Sequence, residues 1–126
     1  MTDPLGIPGG TAHGLNAYAD IVDKDTARSL DRAMTEVAEW ITSSAGTFLG
    51  HVKMAVASGP ITVTLNLTDL GTGVEHHGSL VDGARADIRF MAAVLDVDRD
   101  ELAERMKEAL ISNGFKIKNK NLIELV

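Results

Sequence analysis

The sequence predicts an α+β domain: a two-layer sandwich in which an antiparallel sheet of three to four strands carries two helices on one face, in the order α-β-β-β-α-β. Three observations lead there. Two segments, 25–43 and 98–113, repeat apolar residues at the three- and four-residue steps of a helix. The segments between them alternate apolar and polar residues at the two-residue period of a half-buried strand. The chain has 126 residues, 44% of them hydrophobic, which is enough for one core and short for two ordinary domains. Stacking helical stripes on the apolar face of a sheet buries both at once.

Taken in order, Met1 to Gly14 holds Pro4, Gly6, Pro8, Gly9, Gly10 and Gly14. That density of chain breakers predicts a flexible arm, so the expected division is an arm over 1–22 and a single domain over 23–126. The first helix presents Ala27, Leu30, Met34, Val37 and Ile41 as one stripe, with Ala33 and Ala38 beside it. Asp23 or Asp25 is suited to cap its start, and Ser43, Ser44 and Gly46 to end it. Trp40, off the centre of the stripe, is expected to close the edge of the core.

In 47–58, Val52, Met54 and Val56 alternate with His51, Lys53, Ala55 and Ala57. Ser58-Gly59-Pro60 then signals a turn, and Ile61, Val63, Leu65 and Leu67 alternate with Thr62, Thr64, Asn66 and Thr68 over 61–70. The short connection predicts an antiparallel hairpin. Gly71, Gly73, Gly78 and Gly83 surround Glu75-His76-His77 in 69–83, which reads as a loop or a strand extension. The third strand, 84–97, sets Arg85, Asp87 and Arg89 against Ala86, Ile88, Phe90 and Ala92. Both sides turn apolar after Phe90, so that end is expected to be covered on both faces. The three strands are expected to form a meander. In the second helix Asp98 and Glu101 resemble a capping box, Leu102, Met106, Ala109 and Leu110 form the stripe, and Asn113-Gly114 ends it. Phe115 to Val126 reads as a last strand that either joins the sheet through the helical crossover or pairs with another subunit.

Composition narrows function before any motif does. With no cysteine, disulfides, thiolate metal sites and cysteine nucleophiles are excluded together. A net charge of −6 disfavours nucleic-acid binding. No apolar run approaches the ~18 residues of a membrane span, and Met1 to Gly10 has no basic segment followed by an apolar stretch, so neither membrane association nor a signal peptide is expected and the expected location is cytoplasmic. Phosphate-cradling loops, the Gly-x-Ser-x-Gly elbow and His-Glu-x-x-His are all missing, so no cofactor is implied and a non-enzymatic role is favoured.

Two constellations stand out. His51 and Lys53 share one face of their strand, and Arg85 and Arg89 share one face of theirs; if Thr62, Thr64 and Asn66 join them, a polar sheet face opposite the helices is equipped to hold a carboxylate or phosphate. The bland alternative is a solvated face with Asp87 and Asp69 balancing the charge. His76 and His77 are the metal candidates, with His51 or His13 completing a set; adjacent histidines chelate together from a loop, but point apart on a strand.

Gly50-His51-Val52-Lys53, the Thr-rich strand 61–68, Ala84-Arg85-Ala86-Asp87-Ile88-Arg89 and the helix start Asp98-Arg99-Asp100-Glu101-Leu102 together resemble the C-terminal region of CobW-like metallochaperone GTPases. The resemblance spans about residues 48 to 110, and the GTPase domain with its phosphate loop is missing. It implies a stand-alone accessory or interaction domain in a metal- or corrinoid-related system, with Gly50, His51 and Lys53 as the matching positions. The first functional expectation is accordingly an interaction domain that self-associates or docks on a larger protein through its exposed sheet face or the apolar Leu122–Val126. The second is a domain, or an enzyme, that binds a small anion on the polar face with His51 as proton carrier. The third is metal delivery through His51, His76 and His77.

Overall fold

A computed structural model describes residues 9–118. The elements run β1 (Gly10–Ala19), α1 (Thr26–Ala45), β2 (Gly50–Ser58), β3 (Ile61–Leu67), β4 (Glu75–His77), β5 (Ala86–Leu95), α2 (Arg99–Ser112) and β6 (Lys116–Ile117). They form one antiparallel sheet in the order β4-β3-β2-β5-β1-β6, with α1 and α2 on the same side. The α+β class and both helices agree with the sequence; the sheet is wider, at six strands.

Two differences have clear physical causes. The first is β1, which occupies residues assigned above to a flexible arm. It pairs along its whole length with β5, from Gly10 opposite Leu95 to Ala19 opposite Ala86. Its Leu15 and Ala17 are buried while Asn16 and Tyr18 face the other way, so a strand alternation lies within the glycine-rich stretch. Residues 1–8 of the expected arm, and Leu122–Val126 of the expected last strand, lie outside the described residues. The second difference is the meander. β5 does not follow β3; it pairs with β2 on one side and β1 on the other. β4 takes the outer edge of β3, and the chain then returns across the tip of the β2–β3 hairpin. That return is fixed by hydrogen bonds: Val81 N donates to the fully buried Ser58 hydroxyl at 2.9 Å, Gly83 N to Val22 O at 2.8 Å, and Val22 N to Ala84 O at 2.7 Å.

The core lies between sheet and helices. Leu30, Met34, Val37 and Ile41 of α1 and Leu102, Met106 and Leu110 of α2 cover Met54, Leu65, Ile88 and Phe90 of the sheet, all nearly inaccessible to solvent. Ala27, at the end of the predicted α1 stripe, is exposed. Asp23 organises the helix entry from outside, its Oδ1 accepting from Asp25 N and from the Thr26 hydroxyl, and Gly46 closes the helix in the left-handed conformation at φ +86°. Asp98 caps α2 by accepting from Glu101 N at 2.9 Å. At the hairpin tip Gly59 takes φ +61°, the sign a two-residue turn needs at its first position if the strands are to keep their twist. Trp40 is half-buried at the margin of the core, under the Arg105 guanidinium at 5.7 Å. Among the described residues no helix is long and apolar enough to cross a membrane.

Candidate functional site: the uncovered face of the sheet

With both helices on one side, the other side of the sheet carries every second residue of each strand. The register lays these out in rows. Glu75, Asn66, Lys53, Met91 and Gly14 form one; His77, Thr64, Ala55, Arg89 and Asn16 the next; Thr62, Ala57, Asp87, Tyr18 and Lys116 a third. His51, Ala93 and Ala12 lie beyond the first row. Ala12, Gly14, Ala55, Ala57 and Ala93 keep parts of this face low, and Lys53 of β2 with Met91, Arg89 and Asp87 of β5 stand among them on the two central strands. A shallow groove of about 300 Å³ runs over Ala55 and Ala57 between Asn16, Thr62, Arg89 and Lys118.

Each candidate from the sequence can now be placed. Lys53 sits opposite Met91 and Arg89 two residues further along β5, so they are diagonal neighbours about 7–8 Å apart at Cα. His51 lies two residues from Lys53 on the same strand and face, about 7 Å away. Thr62 and Thr64 share that face, with Thr64 in the row of Arg89. Arg85 does not join this group. It precedes β5, about 13 Å along the strand from Arg89 and about 26 Å from the level of His51.

Arg85 is instead engaged at the corner where β1, β5 and β6 meet. Its guanidinium lies 4.2 Å over the Tyr18 ring and donates from Nε to Asp87 Oδ1 at 3.2 Å. Lys118 reaches the same Asp87 oxygen at 2.9 Å, and Lys116 reaches Asp20 at 2.7 Å. The Lys118 hydrogen bond, helped by Arg85, holds the Asp87 carboxyl below the usual carboxylate range, and the Lys116 hydrogen bond does the same for Asp20. Lys116 is raised in turn by Asp20. Asp69, expected to balance charge on the sheet face, turns its carboxylate back to Gly71 N and the Thr72 hydroxyl in the following loop. Lys53 and Arg89 make no ion pair or hydrogen bond among the described residues. They are the uncommitted cations of the face.

The two histidines of β4 separate, as strand geometry requires. His77 faces the uncovered side opposite Thr64; His76 faces the helix side, where its Nε2 lies 2.7 Å from Asp31 Oδ1 on α1. Asp31 Oδ1 is closed to solvent, and the contact is short without the alignment of a good hydrogen bond. Burial raises the Asp31 carboxyl, and the imidazole beside it partly offsets that. Among the described residues no three His, Asp or Glu side chains converge as a metal site would need. His51 and His13 are on opposite faces of the sheet, opposite Ala93 and Ala92 respectively.

Three features of this site were not anticipated: Asn16 and Tyr18, hidden in the segment read as an arm, and the alanine floor, whose residues carry no chemical signature one at a time. Gly50, the first residue of the tetrad that carries the CobW-like resemblance, has a packing explanation. At φ +128° it passes so close to β5 that a Cβ would meet the Ala93 carbonyl and lie 2.7 Å from Val94 Cα. No family model matches the chain, and no curated protein or solved structure matches it either.

Proposed function

We propose that this chain is a non-enzymatic interaction domain that docks an acidic segment of a protein partner on the uncovered face of its sheet. The observation that carries this reading is the placing of two uncommitted cations, Lys53 and Arg89, on the central strands of the face among small alanine side chains. The face holds Lys53, Arg85, Arg89, Lys116 and Lys118 against Asp20, Asp87 and Glu75, on a chain whose net charge is −6. Charge is thus segregated, which favours an acidic partner and steers its approach. Extent supports the same reading. The four long strands at about 4.8 Å spacing and about 30 Å length offer roughly 600 Å² in projection, near the ~800 Å² that each side contributes to a standard interface. In the groove, where Lys118 is already paired with Asp87, the Arg89 guanidinium is the group left to hold a partner's carboxylate with two parallel hydrogen bonds. The CobW-like resemblance would set such a partner in a metal- or corrinoid-related system.

A second copy is the weaker occupant, because it would bring two faces of like excess charge together. The test compares the native chain with Lys53→Glu/Arg89→Glu by co-purification from the source cells and by light scattering. The expected result is a monomer whose co-purifying partner is lost in the variant and is also released by raising salt from about 50 to 500 mM. Unchanged retention of the partner would overturn the reading. A dimer dissociated by the same substitutions would make self-association the function of the face.

A further inference from the structure

On the other side of the sheet, a cleft of about 410 Å³ opens between the first turns of α1, the β3–β4 edge and the return loop 78–84. We infer that this cleft is a binding site for a small amine with an apolar body. It is separate from the docking face and does not depend on it. The accessible apolar floor is formed by Ala27 and Leu80, with Val22, Leu30, Val63 and Leu65 buried beneath them. A cleft of this size with an apolar floor and a few polar groups at its mouth has the make-up of a small-molecule site.

The polar groups set the ligand's chemistry. Asp23 and Asp82 stand at the rim and His76 in the wall. Asp31, behind His76, draws the ring's Nε2 toward its carboxylate, so Nδ1 is the nitrogen left for a ligand; it has no partner among the described residues. A neutral imidazole with its proton on Nε2 accepts at Nδ1. An acceptor nitrogen, the Asp82 carboxylate and the oxygen of Asp23 that is not engaged at the helix entry, opposed by Lys24 alone, call for a donor-rich, positively charged head. The floor calls for an apolar body beneath it. His76 would contact the ligand directly, and Asp31 would act as a positioning residue.

The experiment is an amide-resolved NMR titration of the whole chain with 2-phenylethylamine, with phenylacetate as the oppositely charged probe of similar shape. Saturable shifts are expected at Ala27, Leu65 and Ser79, with phenylacetate at least about tenfold weaker, as loss of a charge-assisted contact implies. His76→Phe should weaken the amine about tenfold. Asp31→Asn, which preserves shape, should reduce the preference for amine over acid while the remaining spectrum shows an intact fold. Equal affinity for the two probes, or no saturation in the cleft by about 10 mM, a fragment-scale affinity, would overturn the inference. So would amine binding unchanged by both substitutions. Loss of amine binding leaves the Lys53/Arg89 experiment unaffected, so the two readings fail separately.

Discussion

Gly50→Ala is the sharpest test of the sheet that presents the docking face. The added Cβ would meet the Ala93 carbonyl oxygen, with Val94 Cα at 2.7 Å and Ala93 C at 3.0 Å. All three are backbone atoms of β5, which is held between β2 and β1 and cannot retreat without breaking a ladder on one side. The φ of +128° adds a second cost, since side chains with a Cβ rarely adopt it. Clash and strained backbone together cost about 3 kcal/mol, in the range of special-conformation substitutions. For a domain of this size that lowers Tm by about 10 °C. His51→Ala, one residue on, removes an exposed side chain and should change stability by less than about 0.5 kcal/mol. Thermal melts by circular dichroism, with urea titrations alongside, read both. A Gly50→Ala variant melting within about 2 °C of the parent would refute the close approach of β2 to β5, and with it the register that places Lys53 beside Arg89.

Three other outcomes are expected. Ser58→Ala removes the buried hydroxyl that accepts from Val81 N, leaving that amide without its acceptor at the hairpin tip; urea titration should show a loss of about 1–3 kcal/mol. Stability should fall in acid as Asp20 and Asp87 take up protons. Their folded pKa values are lowered, so their contribution is present above about 4, the ordinary carboxylate value, and is lost as pH falls through the lowered folded values. Asp31 has the opposite sign: its raised carboxyl favours the fold when protonated, and that contribution is lost as pH rises through its folded value. Asp31→Asn should therefore be no less stable than the parent near neutral pH, and a urea midpoint that falls at neutral pH would contradict the burial argument.

How far the sequence carried the fold depends on how local the signals were. Both helices, the β2–β3 hairpin and β5 announce themselves through periodicity and turn residues that act within a few positions. β1 does not. Its Leu15, Ala17 and Ala19 alternate with Asn16 and Tyr18, but Gly9, Gly10 and Gly14 dominate the window, and the partner that makes it a strand is far along the chain. The order of strands is equally non-local, because nothing within β5 tells that β4 has already taken the edge of β3. The candidate site was legible for the same residues and illegible for the same reasons. Alternation alone puts His51 with Lys53, Thr62 with Thr64 and Arg85 with Arg89 on one face within each strand, but that the three strands present a common face depends on their register. Separating Arg85 from them required knowing that Lys118, Asp20 and Tyr18 converge on its corner. Asp31 and His76 approach across the gap between a helix and an edge strand, a pairing that no spacing encodes.

The position of β1 has a consequence for how the molecule assembles. It is the earliest strand among the described residues, yet its ladder partners in β5 come roughly 70 to 85 residues later. The β2–β3 hairpin closes over two residues and needs nothing from elsewhere. Contacts between distant parts of a chain must repay a large loop-closure entropy before they hold. Nascent β1 must therefore wait, with Leu15 and Ala17 still in water, until β5 has left the ribosome and laid itself against β2. Docking of β1 on β5 is then a late event, followed by that of β6, which pairs with β1 alone, and the interval before it is when the growing chain most needs protection from pairing with a neighbour.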